Sequence, residues 1–139
     1  MNPRYALVSA RAGHRCEYCH APEAIFNFPF EVEHVIPPGQ GGSDSADNWA
    51  LACRSCNLFK SNTLVGTDDE TGSIVPLFHP RQDVWQEHFA AVAAEGTVIG
   101  LTATGRVTVN QLRMNSPIQR LARQQWQVSA FSIQRSAYS

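Results

Sequence analysis

The sequence predicts an α+β fold in which a strand, loop and helix unit is stapled by a four-cysteine zinc site and followed by a C-terminal α/β extension. Three observations point to it. Two CxxC pairs, Cys16 with Cys19 and Cys53 with Cys56, are separated by thirty-three residues. Between them an extended apolar stretch stops at Pro37-Pro38 and gives way to a loop rich in Gly, Ser and Asp. Beyond residue 96, short alternating and helical patterns follow one another with turn residues between them.

Taken in order, Asn2-Pro3 opens a helix, with Asn2 as cap and Pro3 at the first position, that ends at Gly13. Ile25-Phe26-Asn27-Phe28-Pro29-Phe30 alternates aromatics and reads as an irregular or edge strand, because Pro29 cannot donate to a central ladder. Glu31 to Ile36 reads as a strand, Gly39 to Asn48 as a loop, and from Asn48 the pattern turns helical through the second CxxC to about Ser61. Thr67 to Gly72 is an exposed turn, and Asp83 opens a helix carrying Trp85, His88 and Phe89, on which His88 packs. Thr97 to Leu101 alternates as a strand, and Thr104 caps a helix with Val109 and Leu112. Ser116-Pro117-Ile118-Gln119 is a capping box opening a helix that turns Ile118, Leu121, Ala122 and Trp126 inward and Arg120 and Arg123 outward. Residues 127–139 read as a loose tail. Residues 1–66 form the motif unit with its N-terminal helix, and residues 67–139 an accessory extension packed on the same domain.

A chain of 139 residues with 43% hydrophobic and 17% charged residues has one core and is neither collagen, coiled coil nor disordered. Its apolar runs fall far short of the ~20 residues that cross a bilayer, and the first fifteen residues hold no signal-peptide core, so a cytoplasmic protein without a membrane partner is expected. Eleven cations balance twelve acids, yet all twelve acids precede Gly96, and Arg106, Arg113, Arg120, Arg123 and Arg135 follow it. That basic stretch makes Arg120 and Arg123 candidates to track a polyanion backbone. A homodimer is compatible with the sequence but not evident from it.

Two residues between cysteines let one tight turn aim both thiolates at one ion, and two such knuckles complete an all-sulfur shell around Zn²⁺. A shell with no open position is structural, so Cys16, Cys19, Cys53 and Cys56 should join two distant segments. His14 and His20 flank the first knuckle and read as surface residues.

Glu33-His34-Val35-Ile36-Pro37, then Gly41-Gly42-Ser43-Asp44, then Asn48 through Cys53-Arg54-Ser55-Cys56-Asn57 to Lys60, threaded between two zinc knuckles, resembles the HNH endonucleases whose ββα-metal motif is stapled by paired CxxC knuckles. The resemblance covers about residues 11–62. It implies a metal-dependent enzyme that hydrolyses phosphodiester bonds of double-stranded DNA. His34 matches the general base, Glu33 the acidic metal ligand (where the family more often has Asp), and Asn48 the residue that fixes the loop orienting the histidine. Asn57 falls at the final position, making an HNN variant in which Glu33 and Asn57 would hold Mg²⁺ or Mn²⁺. Neighbours on a regular strand point to opposite faces, so Glu33 and His34 serve one site only if the strand bends or ends there. Glu31, on the same face as Glu33, is the fallback ligand. Arg54, Asn57, Lys60 and Ser61 share a helix face, so Arg54 and Lys60 are candidate phosphate contacts, Lys60 alternatively complementing the helix C-terminus. Asp44 and Asp47 read as turn and cap residues, and His79 as a loop histidine without supporting spacing. Glu33, Asn57 and the negative net charge leave a second reading open, a non-catalytic zinc-stapled nucleic-acid-binding module.

Overall fold

The computed structural model describes residues 2–126. Helix α1 (Tyr5–Arg11) is shorter than the sequence predicts. Asn2 still organises its entry, its side-chain Oδ1 accepting from the Arg4 amide at 2.9 Å and its carbonyl from Tyr5. The left-handed Gly13, at φ +65°, follows its end. Residues 26–30 form no strand: a 3₁₀ turn at Glu23–Ile25 leads into bends that bury Phe30 and leave Phe26 and Phe28 exposed.

Strand β1 (Glu31–His34) pairs antiparallel with β2 (Trp49–Ala52) in the register Glu31 to Ala52 and His34 to Trp49. This corrects the helix expected from Asn48. Ala50, Leu51 and Ala52 are buried, and their backbone hydrogen bonds are closed by a partner strand from the far side of the intervening loop, which a local pattern does not reveal. Helix α2 (Arg54–Lys60) starts only after Cys53, whose sulfur accepts from the Cys56 amide. The loop between the strands turns back tightly: a Cβ on Gly42 would lie 1.7 Å from the Ile36 carbonyl oxygen, so only glycine fits.

Hairpin β3 (Val65–Thr67) and β4 (Ile74–Pro76) brackets the turn at Asp68, which is buried against Arg106 and not exposed as expected. Helix α3 (Trp85–His88) has Val84 and not Asp83 at its cap position, the Asp83 side chain accepting instead from the His79 amide at 2.9 Å. It runs directly into β5 (Phe89–Val92), which pairs with β6 (Thr97–Gly100). Helix α4 (Ala103–Gln111) is capped by Thr102, two residues before the expected cap, and packs on β6, β3 and β4. One cluster of buried apolar side chains extends from Val8 through Tyr18, Leu51, Phe78 and Phe89 to Leu112 and Trp126.

Helix α5, residues 117–126, turns Trp126 and Ala122 towards the core as expected, but not Ile118 and Leu121. Ile118 and Leu121 are 69% and 54% exposed, whereas Arg123 is 1% exposed and donates through Nη1 to the Gly96 and Met114 carbonyls at 2.6 and 2.9 Å. Its Nη1 thus meets backbone oxygens in the turn before β6 and in the turns after α4. The expected tail, residues 127–139, lies outside the described residues. Among the described residues no helix is long and apolar enough to cross a membrane.

Candidate functional site

The two knuckles meet. The four sulfurs of Cys16, Cys19, Cys53 and Cys56 lie within 4.8 Å of one another, all buried, with Cys19 and Cys53 at 3.7 Å. A tetrahedral ion with Zn–S bonds of about 2.3 Å spaces its sulfurs about 3.8 Å apart, so the donor set fits Zn²⁺. In each knuckle the second cysteine's amide points at the first cysteine's sulfur, at 3.5 Å for Cys19 and 3.4 Å for Cys56, as thiolate acceptors require. The flanking histidines are otherwise engaged. His14 Nδ1 lies 2.9 Å from Glu23, and His20, half-buried and not simply a surface residue, stacks on Trp85 at 4.0 Å.

The first knuckle carries Tyr18 into the interior beneath β1. Its hydroxyl donates to Glu33 Oε1, while Lys60 Nζ, from the end of α2, lies 3.5 Å from Glu33 Oε2 and donates to the Val35 carbonyl at 2.8 Å. All three side chains are buried. Burial raises the Glu33 carboxyl above its ordinary value, against the opposing pull of Lys60 and Tyr18, and burial together with Glu33 pushes the Tyr18 phenol up. This arrangement corrects two expectations. Lys60 is 2% exposed and does not present its ammonium to a phosphate. Glu33, with both oxygens facing partners, does not fit as the ligand of a catalytic ion. The reason is the pleat: β1 stays paired with β2 through His34, so Glu33 points to the interior and His34 to the rim.

His34, with 28% of its side chain exposed, places Nε2 at 2.8 Å from Asp44 Oδ1. The same carboxylate receives Arg4, at 2.7 Å to each oxygen, and Trp49 Nε1 at 3.3 Å. The Arg4 guanidinium lies 4.6 Å from the Trp49 ring centroid. Asp44 is therefore no mere turn residue, and the sequence signal for it was only its place between Gly42 and Asn48. Asn48 locks that loop: its Oδ1 accepts from the Ile36 amide at 2.9 Å and its Nδ2 donates to the Ile36 and Ser43 carbonyls at 2.9 and 2.8 Å. Arg11 ties α1 to the same loop through the Ala46 and Trp49 carbonyls.

Along α2, Arg54 is exposed and Asn57 half-buried, while Lys60, expected on their face, turns inward. Arg120 is exposed on α5, its Nε donating to the Glu95 carbonyl at 3.1 Å, and the buried Arg123 is not available to a polyanion. His79 sits in a separate cavity with Lys60 and Asp83, its Nδ1 accepting from the Arg81 amide at 3.1 Å, and burial lowers its pKa below the ordinary value. His88 is packed as expected, against Thr102 at 2.6 Å and the edge of Phe78. Among the described residues the four cysteines are the one group of three or more His, Cys, Asp or Glu side chains spaced to hold a metal.

Comparison with known proteins matches this segment to one family. The HNH endonuclease family model matches residues 16–63. The CRISPR-associated endonuclease Cas9 of Corynebacterium diphtheriae is 36% identical over 61 residues, which are 43% of this chain and 5% of that protein's length. No solved structure matches. The matched residues 16–63 hold the paired knuckles, the two antiparallel strands, the loop locked by asparagine and the following helix, and it is in this segment that the chain is similar to the HNH endonucleases.

Proposed function

We propose that this chain is an endonuclease that hydrolyses phosphodiester bonds of double-stranded DNA, with His34 as general base. The observation that carries it is the placement of His34 at the rim of the β1–β2 hairpin, held from the loop that Asn48 locks. A neutral imidazole takes a proton from water as the water oxygen attacks phosphorus and the P–O bond to the leaving nucleoside oxygen breaks. Asn48 acts through the loop and does not touch substrate. Arg54, exposed at the start of α2, would contact a phosphate. Members of the family use divalent metals, Mg²⁺ or Mn²⁺ being the ions expected for the oxygen donors here. The buried Glu33 does not fit such an ion, and Asn57 alone does not make a site, so no step is assigned to one. Zinc in the four-cysteine site is structural and holds the knuckles that position β1 and α2.

Glu33's commitment to Tyr18 and Lys60 favours a second reading, a zinc-stapled nucleic-acid-binding module without cleavage. Supercoiled plasmid incubated with the purified protein and Mg²⁺, Mn²⁺ or EDTA separates the two. Nicked or linear product in a metal lane, reduced roughly 10²- to 10⁴-fold in rate by His34→Ala with DNA binding retained, supports the nuclease. Binding without product in any lane supports the module.

A further inference from the structure

Asp44 is the side chain closest in kind to a catalytic partner that the reading above leaves without a role. Its carboxylate is more than half exposed, yet it gathers His34 Nε2, both Arg4 nitrogens and Trp49 Nε1 from three separate segments of the chain. An exposed loop carboxylate seldom converges on so many donors without a consequence for one of them. The consequence falls on His34, because the two imidazole nitrogens differ: in a neutral ring one carries the proton and the other the lone pair.

We propose that Asp44 is a positioning residue that fixes the tautomer of His34, so that Nε2 carries the proton and Nδ1 is the atom that accepts a proton from water. An ionised carboxylate only accepts hydrogen bonds, so the nitrogen facing Asp44 must be the donor. Hydrogen bonding from His34 first, then from Arg4 and Trp49, holds the Asp44 carboxyl below its ordinary value, in keeping with an ionised partner. Among the described residues no hydrogen bond engages Nδ1 of His34.

Arg4 has its own part in this. A bare carboxylate beside the base would repel an incoming phosphodiester, whereas the bidentate guanidinium balances the charge and fixes the plane of the carboxylate. Stacking on Trp49, the cross-strand partner of His34, sets where that guanidinium lies. The N-terminal segment is thereby coupled to the geometry of the site, and Asn48 acts one step further back by holding the carbonyl of Ser43, the residue before Asp44.

The inference deepens the reading of His34 as base, and its decisive measurement does not need turnover. Imidazole ¹⁵N spectra of the zinc-loaded full chain, recorded at alkaline pH, report which nitrogen is protonated. The wild type is expected to show His34 as the Nε2–H tautomer, and Asp44→Ala a mixture of both tautomers. Asp44→Asn, whose amide oxygen still accepts from Nε2–H, should restore the Nε2–H form in large part. In the plasmid assay Asp44→Ala should lower the cleavage rate by roughly ten- to a hundredfold with DNA affinity unchanged, the size typical of losing a residue that orients an active-site ligand. Fold is not at issue, since Asp44 is exposed and the loop stays closed by Asn48. An Nδ1–H tautomer in the wild type, or an unchanged tautomer in Asp44→Ala, overturns the proposal. A plasmid left intact by the wild type sinks the nuclease reading, while the spectra still decide the role of Asp44.

Discussion

Lys60 Nζ lies 3.5 Å from Glu33 Oε2 in the interior between β1 and α2, an ion pair sealed by the Tyr18 hydroxyl on the other carboxylate oxygen. Removing one charge of a buried pair leaves the other uncompensated, a loss of about 3–5 kcal/mol, whereas replacing both can be nearly neutral. Lys60→Met is therefore expected to destabilise the zinc-loaded protein strongly, and Glu33→Gln with Lys60→Met to recover most of the loss. Denaturant unfolding of the three proteins checks this. A Lys60→Met variant as stable as the wild type, but weaker in DNA binding, would return Lys60 to a surface role.

The zinc site should hold its ion independently of any metal needed for turnover. Four buried thiolates bind Zn²⁺ far more tightly than a few hard oxygens bind Mg²⁺ or Mn²⁺. Elemental analysis should find about one zinc per chain, following the count of four sulfurs to one tetrahedral ion. Mild EDTA should stop cleavage and leave the circular dichroism spectrum unchanged. Cys16→Ser and Cys53→Ser should each lose both zinc and fold, and retention of both in either variant contradicts the staple.

Asp68 gives the protein an acid-side stability dependence. Hydrogen bonds from Arg106 first, and then from Thr71, hold its carboxyl well below the ordinary carboxylate range. A depressed folded pKa contributes stability that is present above the unfolded value, ~4, and is lost as pH falls through the folded one. The stability difference between wild type and Asp68→Asn should therefore be largest near neutral pH and shrink on acidification below about pH 4. Thermal melts across that window measure it, and a difference independent of pH would show that the Arg106 contact does not depend on the charge.

Arg120 and Arg123, three residues apart in sequence, should behave as different kinds of residue. Arg123→Ala loses two buried charge-assisted hydrogen bonds to backbone oxygens, worth about 1.5–3 kcal/mol each, and should lower the melting temperature. Exposed Arg120→Ala should leave the melting temperature nearly unchanged. If Arg120 meets the DNA backbone, its loss lowers the slope of log K against log salt by about 0.9. Equal salt slopes in the wild type and Arg120→Ala would leave α5 as scaffold.

The amino-acid sequence by itself determined the four-cysteine cluster, because CxxC spacing fixes through short covalent turns where two sulfurs can point, and two such turns meet in one tetrahedral donor set. It also determined that Asn48 and His34 belong to one loop-bound unit, since glycine, proline and asparagine act on the backbone within a few residues. Which way Glu33, Lys60 and Arg123 face was decided only by tertiary structure. Each sits on a strand or helix whose buried side is chosen by what arrives from elsewhere: Tyr18 from the first knuckle, β1 against α2, the Gly96 and Met114 carbonyls against α5. The same holds for β2, where Trp49 to Ala52 carries no local alternation and takes its form from pairing with β1. Asp44 needed three segments to meet before it was more than a turn residue, because a hydrogen bond between side chains distant in sequence leaves no periodicity to read.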